Sequence, residues 1–255
     1  MEQIPFIDFD GKRVVVTGAS SGIGRAVAVE LNRRGANLIL MGRDKKRLDE
    51  TADLLENRDC QIIQLDLRET EKIFPAIKEI SEKTGRIYGL CYSAGIVETR
   101  PLASLKLEGL QEMLSVNLIG ALELARAVCR REVMDEKEGS LLFISSIYAG
   151  VGMGGQIGYS ASKGAICSAA RGMAVELARR NIRVNVISPG LVRTDMTAKA
   201  FSLLSNGQVK AMEDGYPLGT GTPEDVARAA AFLLAPQNRW ITGIDLVVDG
   251  GYTAK

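Results

Sequence analysis

The chain has 255 residues, 46% of them hydrophobic, with 32 basic and 31 acidic side chains and no histidine. That is enough apolar material for one large core, and a formal net charge of +1 supplies no field to recruit nucleic acid or an anionic membrane. Four cysteines, Cys60, Cys91, Cys129 and Cys167, stand far apart with no CxxC pair, so no metal site is expected and the thiols read as reduced and mostly buried.

The N-terminal MEQIPFIDFDGKR is acidic and interrupted by Pro5, which fits neither a secretory signal nor a transit peptide, and no later stretch has the length of a membrane span. A cytoplasmic protein is expected. The first strand is KRVVVTG; glycines follow, and then Ile23, Val27 and Leu31 recur every fourth residue as on a helix. Further strand-like runs are ANLILMG, CQIIQLDL, RIYGLCYS, SLLFISS, IRVNVIS and IDLVVDG, each followed by room for a crossover helix. Seven strands alternating with helices predict an α/β fold, one doubly wound Rossmann-type domain over residues 1–255 with a parallel sheet flanked by helices. Strands covered on both faces account for the continuous apolar runs. Residues 191–221 are the least regular stretch, and a long connection at the ligand end of such a sheet is predicted to be a lid.

Thr17, Gly18, Gly22 and Gly24 fall in TGASSGIG, between the first strand and its helix, where small residues let the backbone approach a pyrophosphate at a helix N-terminus. Ser20, Ser21 and Ile23 complete that turn. At the end of the second strand, in MGRDKK, an acid would hold the ribose hydroxyls of NAD, whereas Arg43 attracts a 2′-phosphate, so NADP(H) is expected with Lys45, Lys46 or Arg25 assisting. Asn117 lies on the helical stripe Leu110, Leu114, Leu118 and Ala121, where a buried amide needs partners. Tyr159 and Lys163 are four apart and share a helix face. An adjacent ammonium lowers the pKa of a phenol from its usual value of about 10, which lets tyrosine do acid–base work in a chain without histidine.

TGASSGIG, Asp66 in QLDL, the AG of YSAGI, Asn117 in SVNL, Ser146, Tyr159, Lys163, PGLVRT and the closing VVDGG together resemble the short-chain dehydrogenase/reductase family, in its single-domain branch, over nearly the whole chain. The resemblance implies a carbonyl polarised by Ser146, thirteen residues before Tyr159, with Tyr159 as proton donor, Lys163 on the nicotinamide ribose and Asn117 bridged to Lys163 by water. It implies that Asp66 and Leu67 meet the adenine, that Ala94 and Gly95 flank the cofactor, and that Pro189, Gly190, Val192 and Thr194 lie along its nicotinamide half. Thr194 would touch the carboxamide or a phosphate. Ser146, Tyr148, Gly152, Met153 and Tyr159 would contact substrate. One departure is Tyr92-Ser93-Ala94-Gly95 where many relatives have NNAG, which bears on local structure more than on chemistry.

GGQIGYSASKGA, PLGTGTPEDVA and ITGIDLVVDGG look like the β-ketoacyl-carrier-protein reductases, implying a 3-oxoacyl substrate, free or presented on an acyl carrier. Lys137 and Arg180 stand near the place of that subfamily's carrier-docking bases, although Lys137 sits among acids in MDEKEG. The alternatives are an NAD-dependent secondary alcohol, sugar or steroid dehydrogenase and, in another class, a non-catalytic nucleotide sensor or scaffold. Intact Ser146, Tyr159, Lys163 and Asn117 weigh against the last. Small residues along the helix from Tyr159 to Arg180, among them Ala161, Gly164, Ala165, Ser168, Ala169 and Gly172, together with the family's habit, imply a homotetramer.

Overall fold

The computed structural model describes residues 7–56, 59–202 and 204–255; the first six residues, within the segment read as no leader, and Leu203 of the predicted lid lie outside them. In chain order the elements are β1 (Arg13–Thr17), α1 (Gly22–Arg33), β2 (Asn37–Gly42), α2 (Lys45–Ala52), β3 (Cys60–Gln64), α3 (Thr70–Thr84), β4 (Gly89–Tyr92) and α4 (Leu107–Leu114). A π-helical turn (Ser115–Ile119) leads into α5 (Gly120–Val128), followed by β5 (Gly139–Ile144), α6 (Ile157–Leu177), β6 (Ile182–Pro189), α7 (Asp195–Phe201), α8 (Asn206–Glu213), α9 (Pro223–Leu234) and β7 (Asp245–Val248). All seven strand-like runs are strands of one sheet ordered β3-β2-β1-β4-β5-β6-β7, with every ladder among the described residues parallel.

The two-residue period of a strand sends alternate side chains to opposite layers. On β1, Val14 and Val16 pack with Val27, Leu31, Ala230 and Leu234 of α1 and α9, while Val15 packs on the other side with Ile73, Ile77, Leu124 and Ile166 of α3, α5 and α6. Both faces are therefore covered, which is why the strands lack polar alternation. The exceptions are the two sheet edges, β3, where only Ile63 is buried and Gln64 is exposed, and β7, where Asp245 and Val247 are exposed.

The far end of α9 is buried beneath the sheet, where its last carbonyls need donors. Arg183 on β6 donates to the carbonyls of Leu233, Leu234 and Ala235 at 2.6, 3.1 and 3.0 Å, and the Tyr88 hydroxyl donates to Leu234 O at 2.8 Å. A cation at a helix C-terminus also meets the negative end of its dipole. The strand order reverses between β1 and β4, so their connections diverge and leave a crevice at the carboxyl ends of the strands. The predicted lid is more regular than its composition implied. Capping boxes Thr194/Thr197 and Ser205/Gln208 start α7 and α8, and a bridge between Val192 and Gly221 ties its two ends.

Candidate active site

The turn after β1 needs its glycines. Gly18 and Gly22 have φ of +63° and +51°, which a side chain would strain. A Cβ on Gly24 would lie 2.4 Å from the Gly18 carbonyl, and one on Gly18 would meet the Ala94 backbone at 3.0 Å. Helix α1 then starts at Gly22 with Ser21 extended at its N-cap, no capping bond from the Ser21 side chain and no acid in the first turn. Its positive end faces an open backbone cradle, which fits a pyrophosphate. Thr17 lies beneath this cradle, fully buried, and its hydroxyl accepts the N–H groups of Ser93 and Ala94 at 3.0 Å each, tying β1 to the connection after β4. Thr194 caps α7 and sets its methyl against Gly22, where a Cβ would approach it to 3.2 Å.

Beyond the turn, Ser20, Arg43, Asp44, Lys45, Arg47 and Gln64 line a cavity of about 530 Å³. Asp44 caps α2 by accepting the Arg47 N–H, and Gln64 holds the Arg43 carbonyl at 3.0 Å. Arg43 stays 62% exposed on the rim, 3.9 Å from Asp66. The Asp66 carboxylate is itself gripped by Arg68 at 2.7 Å, and that bond holds its pKa below the usual range. Leu67 is buried beside it. Of the assisting cations named from sequence, Arg25 is engaged elsewhere, bonding Ser20 O at 2.7 Å and Thr51 at 3.0 Å, and so braces the turn; Lys45 lines the cavity, and Lys46 is not among the lining residues.

At the other end of the crevice, β5 runs into Ser145 and Ser146. Consecutive extended residues point opposite ways: Ser145 donates to Lys163 O at 3.0 Å and accepts from Cys167 Sγ at 3.1 Å behind α6, while Ser146 accepts the Tyr148 N–H at 3.3 Å and stands close enough to the Tyr159 phenol to favour its ionised form. Lys163 is 5% exposed, donates from Nζ to Ile144 O at 2.8 Å and lies 5.6 Å from the centre of the Tyr159 ring. The sequence expectation of a depressed phenol pKa is corrected here. Burial pushes Tyr159 up to about 12 against the opposing pull of Ser146, and burial takes Lys163 down to about 8. The ammonium faces the ring and a carbonyl and is itself desolvated, so burial shifts both groups toward their neutral forms, although Lys163, with a pKa of about 8, still carries its charge at pH 7.

Asn117 occupies the π turn, whose extra residue rotates the buried face so that Met113, Val116, Asn117, Gly120 and Ala121 point inward. The predicted stripe through Leu114 and Leu118 is only half-buried for that reason. The Asn117 amide accepts the Ile96 N–H and donates to Ile96 O, both at 2.9 Å, and donates to Ser162 at 2.9 Å. Between Asn117 and Lys163 sits Gly95, where a Cβ would be 3.3 Å from each polar atom. Tyr92, standing where the relatives' first asparagine would be, donates to Val116 O in the π turn at 2.6 Å. The departure in YSAG thus has its own local brace.

Residues 18–253 match the family model adh_short_C2, described as enoyl-(acyl carrier protein) reductase. The chain belongs to the short-chain dehydrogenase/reductase family. Among its relatives, carbonyl reductase family member 4 of Danio rerio is 37% identical over 238 residues, covering 93% of this chain and 96% of that one. The 3-oxoacyl-[acyl-carrier-protein] reductase FabG of Escherichia coli strain K12 is 33% identical over 246 residues, covering 96% and 98%. The solved structure of ElxO with NADP bound is 27% identical, with a TM-score of 0.87 over 96% of this chain and 100% of that one. Members of this short-chain family are oxidoreductases acting on carbonyl and alcohol groups with a nicotinamide cofactor, and this chain is one of them.

Of the short-chain family positions assigned to substrate, Tyr148 is half-buried in the turn after Ser146; Gly152 is exposed and Met153 half-buried in the following loop. Pro189 and Val192 are buried and Gly190 half-buried, a Cβ there meeting Tyr216 at 2.8 Å. Sequence reading missed Tyr216 and Tyr252, whose rings stack at 4.6 Å where the end of the 191–221 segment meets the C-terminus. It also missed Arg47 and Gln64 of the basic cavity. Nothing local marks the tyrosines, but the four-residue step from Arg43 to Arg47 was a readable sign. Arg180 donates to Cys129 O at 2.7 Å, a structural bond for a residue placed near a carrier-docking site.

Proposed function

We propose that this chain is an NADP(H)-dependent ketoreductase that interconverts a 3-oxoacyl group, free or on an acyl carrier, with its 3-hydroxy form. The carrying observation is the grouping of Ser146 beside the Tyr159 phenol, with the buried Lys163 5.6 Å from the centre of the same ring. Two hydroxyls converging on one point suit an oxygen that turns from carbonyl to alkoxide. Reduction of a carbon–carbon double bond, which the family description names, instead needs its proton at carbon. The glycine cradle, the open start of α1 and the basic cavity fit a dinucleotide with a 2′-phosphate.

In this reading Gly18, Ser20, Ser21, Gly22 and Ile23 hold the pyrophosphate, Arg43 the 2′-phosphate, Asp66 and Leu67 the adenine side, Ala94 and Gly95 the middle, and Pro189, Gly190, Val192 and Thr194 the nicotinamide half. NADP(H), when bound, supplies or takes the hydride. Tyr159, neutral with its pKa near 12, gives its proton to the substrate oxygen, and Ser146 donates a second hydrogen bond to it. Lys163 would hold the ribose, and its ammonium, charged at pH 7, stabilises the phenolate left behind. Asn117 keeps Ile96 and Ser162 in place, and a water bridging it to Lys163 would relay the proton. Leu102 in the connection after β4 and Leu107 at the start of α4, 71% and 64% exposed, and Met196 on α7 offer apolar surface for an acyl chain.

The test compares NADPH and NADH in binding and in reduction of a 3-oxoacyl thioester and of simple ketones. NADPH should bind more than tenfold tighter, the worth of a charge-assisted phosphate contact of roughly 1.5–3 kcal/mol, and Arg43→Ala should remove most of that preference. Equal affinities in the wild type would refute the cofactor assignment. Turnover of simple ketones but of no 3-oxoacyl thioester would refute the substrate.

A further inference from the structure

Each of the three cations lining the basic cavity faces a carboxylate. For Arg43 it is Asp66 at 3.9 Å and for Lys45 it is Asp49 at 2.9 Å, one turn along α2. Arg47 differs, because its partner is Asp195, 148 residues away at the first position of α7. Helix α2 follows β2 and α7 follows β6, strands separated in the sheet by β1, β4 and β5. At about 4.8 Å per strand those roots lie roughly 19 Å apart, so the Arg47–Asp195 pair reaches over the carboxyl ends of the intervening strands and across the crevice. It sits beside the Thr194–Gly22 contact and joins the cavity wall to the lid.

We infer that Arg47 is a second, switchable determinant of cofactor choice: it pairs with Asp195 across the crevice in the free protein and turns to the 2′-phosphate when NADP(H) enters. This rests on the NADP(H) reading above. Both side chains of the pair are substantially exposed, 39% and 63%, so the pair is weak and easily exchanged. A phosphate monoester dianion carries about twice the charge of a carboxylate and, like it, takes two parallel bonds from a guanidinium, so it competes well for Arg47. A cofactor lacking that phosphate gives Arg47 no reason to leave Asp195. The pair thus acts as a competitor against the very contact that distinguishes the two cofactors, and it links occupation of the cavity to release of the start of α7.

Calorimetric titration of the full chain with NADP⁺ and NAD⁺ tests this in wild type, Arg47→Gln, Asp195→Asn and the double variant, with NAD⁺ binding as the control for an intact fold. Arg47→Gln should weaken NADP⁺ about tenfold and leave NAD⁺ unchanged. Asp195→Asn should tighten NADP⁺ roughly two- to fivefold, the range for an exposed pair, and lose that effect in the Arg47→Gln background. If Arg47→Gln keeps the wild-type ratio of the two affinities, or weakens both cofactors equally, Arg47 does not read the 2′-phosphate. Should Asp195→Asn weaken NADP⁺, or tighten it equally without Arg47, the competition is absent. A wild type that binds both cofactors equally sinks the NADP(H) reading itself, whereas preserved preference with insensitive variants sinks only this inference.

Discussion

Lys163 carries a conflict between stability and use. Its ammonium is buried against Ile144 O with a pKa lowered from 10.5 to about 8, so the unfolded chain holds that proton more tightly than the folded one. Below pH 8 the charged side chain costs the fold about 3 kcal/mol at 1.36 kcal/mol per pKa unit. The cost fades as pH rises from 8 to 10.5, where the amine is neutral in both states. Lys163→Met, similar in length and uncharged, should therefore raise the melting temperature of the cofactor-free protein at pH 7 by roughly 5 °C while removing turnover, and the gain should shrink toward pH 10. A variant melting no higher than wild type at pH 7 would mean that the bond to Ile144 O outweighs burial. At this scale the site was largely legible. Tyr159 and Lys163 were drawn by their four-residue step together with the family resemblance and Ser146 by that resemblance alone, while Ser145 faces the back of α6. The phenol pKa was not legible, because its sign depends on desolvation, which no spacing encodes.

Among the elements, strands were read almost without loss because both faces of the sheet are buried and their apolar runs are continuous. The π turn at Ser115–Ile119 was hidden by a plausible helical stripe; one extra residue in a helix alters no composition, only which side chains face inward. The segment expected to be a lid was misjudged in texture, since Thr194/Thr197 and Ser205/Gln208 cap short helices inside it. Its order remains weakly secured. Helix α8 has no buried residue, and a segment so poor in buried contacts opens at low free energy. Backbone amides of residues 195–213 should exchange quickly in the free protein and more slowly with NADP⁺ and a substrate analogue bound. Equal protection in the two states would remove the lid from the mechanism.

For the molecule as a whole, one chain leaves apolar surface that its own core does not use. On α6 the outer face presents Ala161, Ser168, Gly172 and Val175, the last 82% exposed, and a Cβ on Gly172 would meet nothing within 4 Å. Such a smooth face suits another helix across a two-fold axis. The free edge at β7 adds Ile244 and Val247, 40% and 45% exposed. Light scattering should give a mass near four times 27.5 kDa, and Val175→Glu should shift it to smaller species with the fold retained. A wild-type monomer at micromolar concentration would contradict the tetramer. The sequence pointed to this face through its small residues, but only the fold says which of them remain uncovered.

Proton transfer by Tyr159 to a substrate oxygen is the role proposed for the grouping of Ser146, Tyr159, Lys163 and Asn117, and single-turnover kinetics reach it most directly. NADPH oxidation would be followed with a saturating 3-oxoacyl thioester in wild type and Tyr159→Phe, alongside NADPH affinity measured separately. The phenol-less variant should bind NADPH as wild type does and lose roughly 10² to 10⁴ in the chemical step, the contribution of a positioned acid. A Tyr159→Phe enzyme that oxidises NADPH at a near-native rate would show that Ser146, Asn117 or water supplies the proton.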